Sequence, residues 1–376
     1  MTLKISLVGF GGIGYRKFIP ALLSVAEQSA LKDYSLIRKG EKIELSIIDV
    51  YFHQTKLEEL KQEIEKKNIN LEVKFILRKQ GNSIKTLQSQ IDTKKFDLVY
   101  IASPNATHVE YIDFFLLNAH QIYVEKPIVN HLSELEKIEK NHLPDTLMAI
   151  QLFDHYLMKP SLNEFINNYT RYQRLIGEIQ QINFFLIESN KIKEERSWLH
   201  ETGMIRDLAV HYLSILFKLN EKGLEISSPA NIKVLDVCKA RYTEERVDIV
   251  DPKETAAHLK LKIHDLDSTC IVGKGAGFTR KELLIKGTLG TLVIDTVKGI
   301  IYLNQSKKSE ILFSREVGFQ KFIEHWNFLN GIFNSEKNLG LSYSLAKAQI
   351  NLLEKTDQFM IKTYYKAGEF PFNSTL

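Results

Sequence analysis

The chain has 376 residues, 44% of them apolar and 26% charged, with a formal net charge of +4. The length leaves room for two domains, and the composition is that of a globular chain rather than a low-complexity or disulfide-scaffold one. Lys and Glu alternate, as in KQEIEKKN at 61–68, which is the pattern of a solvated helix face and excludes the clustered basic surface of a nucleic-acid binder.

The N-terminal run is short and broken by glycines, unlike a secretory or transit signal. No stretch approaches the roughly 18 apolar residues of a membrane span. The expectation is a soluble, cytoplasmic protein without membrane partners. LKISLVGF (3–10) reads as a strand, and a helix is predicted from about Gly14, with Phe18, Leu22, Leu23 and Ala26 on it. Between them lies GFGGIG: Gly9, Gly11, Gly12, Ile13 and Gly14 form a G-x-G-x-x-G turn. In a strand–turn–helix setting Gly9 permits the tight turn, Gly11 lets the backbone approach a pyrophosphate, and Gly14 lets the helix pack on the strand. The helix N-terminus then faces the phosphates.

The segments 42–50, 71–77, 96–103, 121–126 and 146–153 are further strands, with helices such as 108–119 and 131–140 between them. Near-continuous apolar strands separated by helices predict a parallel sheet covered on both faces. Asp49, at the end of the second strand, lies 35 residues after Gly14 (49 minus 14) rather than about 20. A carboxylate there accepts from ribose hydroxyls and repels a 2′-phosphate, so NAD is favoured and NADP is possible, with Arg16 partly offsetting the repulsion. Ser103, Pro104 and Asn105 turn the chain after the fourth strand and are expected to cap the next helix through a side-chain oxygen or to touch the cofactor. His108, one turn further on, reads as structural more readily than catalytic. Glu125, Lys126 and Pro127 end the fifth strand, where such sheets open onto a ligand crevice. Lys126 there can bind a substrate hydroxyl and stabilise developing negative charge.

QLFDHYLMKP (151–160) follows the last of these strands: Asp154, His155, Tyr156 and Lys159 are four polar side chains in six positions. They form either a polar interdomain turn or a substrate wall. A cation, an imidazole and a phenol suit a phosphate. The segments 178–188, 231–242, 257–265, 268–275, 281–288, 290–296 and 299–305 read as successive strands of a mainly antiparallel sheet. Cys238 and Cys270 fall on them outside any ligand or paired spacing, so no metal site and no disulfide is expected and the compartment is a reducing one. The spans 318–333 and 343–365 read as closing helices. In ETGMIRDLAVHYLSIL (201–216), Gly203, Asp207 and His211 recur every four residues, which on a regular helix places them on one stripe, with Leu208, Tyr212 and Ile215 on another. A His one turn from an Asp is a candidate general base.

GFGGIG, SPNATHVEY and VEKP, in that order, resemble the glucose–fructose oxidoreductase / inositol dehydrogenase / rhizopine-catabolism (Gfo/Idh/MocA) family, and IKGTLGTLVI (285–294) resembles its glycine-containing hairpin. The resemblance implies an α/β chain: an N-terminal Rossmann NAD(P)-binding domain at 1–128, with strand and linker to about 153, and an α+β domain at 154–376 with a large open sheet. It implies hydride transfer at CH–OH carbons of sugars or cyclitols, and a homodimer or homotetramer through that sheet. D-H-Y-L-M-K is also similar to a motif of glucose-6-phosphate dehydrogenases, with Met158 where that motif has Gly, and T-G-M-I-R-D-L-A-V-H-Y-L is similar to their base helix. Carried over, Asp154 pairs with His211 to form the base, and His155, Tyr156 and Lys159 bind the substrate phosphate. The expectation is an NAD(P)-dependent dehydrogenase with Lys126, His211, Asp207 and Asp154 as catalytic residues. The alternatives are an unphosphorylated sugar, cyclitol or nucleotide-sugar substrate, an NAD-dependent glycosidase, or a cofactor-binding regulator. Substrate choice is expected in the loops near 190–200 and 273–280.

Overall fold

The computed structural model of the protein describes residues 2–29, 31–79, 81, 83–91, 95–189, 199–224, 232–242, 254–306, 308–315, 322–336 and 339–365. In chain order it opens with β1 (Thr2–Val8), a π-helical turn (Gly14–Phe18), α1 (Ile19–Ser29), β2 (Lys42–Asp49), α2 (Gln54–Lys67), β3 (Leu71–Leu77), β4 (Phe96–Ile101), α3 (His108–Phe115), β5 (Ala119–Glu125), α4 (Leu132–Asn141), α5 (Pro144–Leu147) and β6 (Ile150–Phe153). Next come α6 (Pro160–Asn167), α7 (Tyr169–Ile176), β7 (Ile179–Glu188), α8 (Leu199–Met204), α9 (Val210–Glu221), β8 (Ile232–Tyr242), β9 (Ala256–Ile263), β10 (Leu266–Lys274), β11 (Arg280–Gly287), β12 (Thr291–Asp295), β13 (Ile300–Gln305) and β14 (Lys308–Ser314). The chain closes with α10 (Ile323–Phe333), β15 (Leu341–Ser342), α11 (Tyr343–Asp357) and β16 (Ile361–Tyr365).

Two compact units result, Met1–Met158 with Phe319–Lys347 and Lys159–Gly318 with Ala348–Leu376. The first holds a seven-stranded sheet in the order β15-β6-β5-β4-β1-β2-β3. Its pairs are parallel except for β15 against β6. The interior strands are buried nearly throughout, as a sheet with both faces covered requires, whereas the edge strand β3 alternates buried and exposed. The second unit holds a nine-stranded sheet, β14-β13-β12-β11-β7-β10-β9-β8-β16. It is antiparallel except where β10 meets β7 and β16 meets β8. The expected α/β class and mainly antiparallel second sheet are therefore present.

Three elements differ from the sequence reading. A single boundary near 153 is not what the chain uses, because Phe319–Lys347 returns to the first unit. The reason is aromatic: Phe328 of α10 packs 4.4 Å from Phe153 and 4.7 Å from Tyr123, centroid to centroid. The expected helix at 343–365 stops at Asp357, and 361–365 pairs with β8 as a strand, in keeping with a run of Ile, Thr and Tyr that favours extended backbone. The edge strand β14 is largely exposed, so it lacked the apolar signature of the others. Among the described residues, no helix is long and apolar enough to cross a membrane. Cys238 and Cys270 are both free thiols.

Phe328 is fully buried in this cluster. Phe328→Ala is expected to destabilise the protein by about 3–5 kcal/mol, read as a lowered urea midpoint; a loss below about 1 kcal/mol would mean that α10 is not part of the first unit's core.

Candidate active site and cofactor-binding residues

The glycine turn is built by two close approaches. Gly9 has φ +94°, and a Cβ on it would lie 2.7 Å from the Ala102 carbonyl oxygen. At Gly14 a Cβ would lie 2.0 Å from the carbonyl oxygen of Gly9. Neither position tolerates a side chain without moving backbone. Gly11, Gly12 and Ile13 are exposed, and a Cβ on Gly11 or Gly12 meets nothing within 4 Å. Open space thus lies over a turn that leads directly into a helix, a cradle that fits a pyrophosphate.

Asp49 closes the turn from below. Its Oδ2 accepts from the Phe10 N–H at 2.5 Å and its Oδ1 from the Tyr51 N–H at 2.9 Å. Each oxygen keeps a lone pair to accept from a ribose hydroxyl, so the carboxylate fits a dinucleotide despite the long spacing from Gly14. The exposed rings of Tyr51 and Phe52 follow it.

The strand-end turns behave differently from expectation. The segment Asn105–Thr107 is a 3₁₀ turn, and α3 has no side-chain cap. Instead, the Thr107 hydroxyl donates to Ser103 Oγ at 2.8 Å. Ser103 and Asn105 are half-buried and Pro104 is exposed. His108 is fully buried, with ring nitrogens 2.9 Å from the Ser103 carbonyl and 3.1 Å from that of Ile128. Burial pushes its pKa down against the pull of those two carbonyls. It braces the turn after β4 against the turn after β5. Glu125 is also buried. Its carboxylate accepts from the Tyr100 hydroxyl and lies 3.5 Å from His325 Nε2, which is 2.9 Å from that same hydroxyl. Burial, reinforced by the Glu125 charge, holds the Tyr100 hydroxyl well above its ordinary range. Glu125 Oε2 and His325 Nδ1 have no partner among the described residues. Lys126 follows at a half-buried position, and its bond to Pro127 is cis.

The D-H-Y-L-M-K segment is not a solvated turn. Asp154 is fully buried and Tyr156 is 3% exposed. Asp154 Oδ1 accepts from the Tyr156 N–H at 2.9 Å, closing a 3₁₀ turn over His155–Met158. Lys159 is half-buried and precedes α6.

In the second unit the regular helix expected over 201–216 is broken. Gly203 has φ +63° and ψ −178°, a kink, and Ile205–Ala209 is a π-helical turn before α9 begins. Gly203 is therefore not on the stripe with Asp207 and His211. A carboxylate that the sequence reading missed fills the kink: Glu254 Oε1 accepts from the Ile205 N–H at 2.9 Å. Asp207 and His211 are both buried. Asp207 pairs with Lys274, whose Nζ also lies 3.6 Å from Glu188, and Glu188 takes Lys281 at 2.6 Å. Burial alone would raise the Glu188 carboxyl, but Lys274 and Lys281 hold it below the usual range. Leu208, Tyr212 and Ile215 are buried as expected, with Tyr212 stacked on Phe184 at 5.2 Å. Lys274 lies in the 273–280 loop region where substrate choice was expected, while residues 190–198 of the other loop lie outside the described residues.

Two substitutions separate structure from binding. Gly14→Ala is expected to lower the melting temperature, whereas Gly11→Ala should leave it unchanged and weaken NADH binding at least about tenfold, measured by nicotinamide fluorescence. Lys274→Met removes a buried cation paired with Asp207, and is expected to cost about 3–5 kcal/mol in urea unfolding, with most of it recovered in the Lys274→Met/Asp207→Leu double variant.

Residues 3–142 match the family model described as "Oxidoreductase family, NAD-binding Rossmann fold", the GFO_IDH_MocA family. No curated protein sequence matches the chain. Among solved structures, a 3-ketoreductase from Actinomadura kijaniata in complex with TDP-benzene and NADP is 13% identical, with 97% of this chain and 100% of that chain covered and a TM-score of 0.63. A glucose-6-phosphate dehydrogenase in complex with glucose-6-phosphate is 14% identical, with 99% and 96% covered and a TM-score of 0.70. A glucose-6-phosphate 1-dehydrogenase from Mycobacterium avium is 16% identical, with 98% and 94% covered and a TM-score of 0.68. These TM-scores show a common fold. With its glycine turn and Asp49, the first unit carries the NAD-binding Rossmann domain of the Gfo/Idh/MocA oxidoreductase family, and the protein is an NAD(P)-dependent oxidoreductase.

Proposed function

We propose that the protein transfers hydride between NAD(P) and a CH–OH carbon of a sugar or sugar phosphate. The observation that carries the substrate side is the burial of the 154–158 turn: a solvated linker does not hide an Asp and a Tyr completely. The printed ligands of two proteins of the same fold, TDP-benzene and glucose-6-phosphate, support a sugar or sugar derivative.

Bound NAD(P) supplies the hydride acceptor or donor. In the oxidative direction the hydroxyl proton goes to His211, acting as a neutral imidazole, and Lys126 steadies the oxygen as charge develops on it. Asp154 is the carboxylate that stabilises the resulting imidazolium in this reading. Asp207, which pairs with Lys274, is proposed to support the helix that carries His211. His155, Tyr156 and Lys159 are proposed to hold a phosphate, and the nine-stranded sheet to mediate self-association.

His211→Ala and Lys126→Ala are each expected to lower kcat by about 10²–10⁴-fold while NADH affinity barely changes. Wild-type turnover in both variants would sink the assignment. In a panel of sugars and their phosphates, Lys159→Ala should raise KM for a phosphorylated substrate more than for its unphosphorylated parent. Equal effects would remove the phosphate pocket and leave an unphosphorylated sugar, cyclitol or nucleotide sugar.

A further inference from the structure

The end of β2 carries two titratable side chains. Asp49 is tied to the backbone through both oxygens. His53 follows four residues later, just before α2, with Nε2 3.9 Å from Asp49 Oδ2 and a side chain 25% exposed. Its ring lies 5.9 Å from Phe10 and 6.4 Å from Tyr51. It makes no side-chain cap to α2, so the helix does not depend on it. At 3.9 Å the two groups sense each other by charge, and the sign of their interaction follows the protonation of the imidazole.

The other charged groups around them, Arg16 apart, are engaged. Lys56 of α2 donates to the Phe10 carbonyl at 3.1 Å, over the rings of Phe10 and Tyr15. Tyr15 donates to Glu59. Arg78, which follows β3 and donates its N–H to the Asp49 carbonyl, is clamped by both oxygens of Glu110 and lies over Tyr111. Arg16 is exposed on the π-helical turn. Of this set, the imidazole is the side-chain type whose charge changes near neutral pH.

We infer that His53 selects the cofactor. Neutral, it leaves the Asp49 carboxylate to repel a 2′-phosphate, and the site takes NAD(H). Protonated, it offsets Asp49 and offers a cation to that phosphate, and the site takes NADP(H) as well. The inference rests on a dinucleotide occupying the glycine turn, but not on the substrate or on the catalytic residues. A phosphate monoester itself loses charge below about pH 6, which works in the opposite direction, so the variants carry the decision.

The test is direct binding without substrate. Dissociation constants of NADH and NADPH are measured by nicotinamide fluorescence from about pH 6 to about pH 8.5 for the wild type, His53→Ala and His53→Lys. In the wild type the ratio Kd(NADPH)/Kd(NADH) is expected to fall about tenfold as the pH is lowered. His53→Ala should keep a high ratio throughout, and His53→Lys a low one. A His53→Ala profile that follows the wild type, or a His53→Lys ratio no lower than the wild type's at high pH, would overturn the inference while leaving cofactor binding intact. Failure of all three proteins to bind either cofactor would overturn the inference together with the cofactor site.

Discussion

One carboxylate holds the nucleotide turn in place. The Phe10 N–H sits where the chain leaves β1 at a positive φ, and Asp49 accepts it. Backbone bonds to an ionised acceptor are roughly twice as strong as neutral ones. The second oxygen takes the Tyr51 N–H, so the same side chain fixes both the glycine turn and the exit from β2. This double duty constrains cofactor choice. A residue that anchors the turn cannot be exchanged freely to admit a 2′-phosphate, because the turn would lose its acceptor. Discrimination is more easily adjusted at a neighbour that bears on the charge of Asp49 without touching the backbone, and His53 occupies that position.

The second unit uses charge to support a distorted helix. Lys281, Glu188, Lys274 and Asp207 form an alternating row that passes from half-buried to buried. An isolated buried ion would cost several kcal/mol, whereas each member here has an opposite neighbour. At the far end, Glu254 fills the kink at Gly203 and satisfies the Ile205 N–H, and Arg206 is held at 2.6 Å by Asp357. A π-helical turn leaves backbone groups less well matched than an α-helix does. The carboxylate bond at Ile205 and the ion pairs of Arg206 and Asp207 support the stretch where the ladder is irregular, immediately before His211.

Much of the fold was legible because it is written in local periodicity. Buried parallel strands read as apolar runs, and β3 was placed at 71–77 as found. The glycine turn was legible because close packing excludes a side chain at Gly9 and Gly14. What failed was the assumption of a regular helix: four-residue spacing carries no sign that Gly203 will adopt φ +63°. His108 and Glu125 are both buried braces, and strand-end position alone does not tell which way a side chain points. Lys274 and Glu254 were invisible for a different reason. They lie 67 residues from Asp207 and 49 from Ile205, and contacts at such separation leave no pattern in the sequence.

The same limit explains why the cofactor-binding unit has no single boundary. Tyr100, Tyr123 and Phe153 are fully buried or nearly so, yet Phe328 and His325, which pack on them, come from α10. A fragment ending near 153 would expose these rings and remove His325 from beside the Glu125 carboxylate. Apolar burial is worth about 25 cal/mol per Å², so such a fragment loses a large share of its core along with one polar partner. The residue next to the proposed catalytic Lys126 is thus held by a side chain 200 positions away (325 minus 125). The segment 319–347 is as much a part of the nucleotide-binding unit as the strands that precede it.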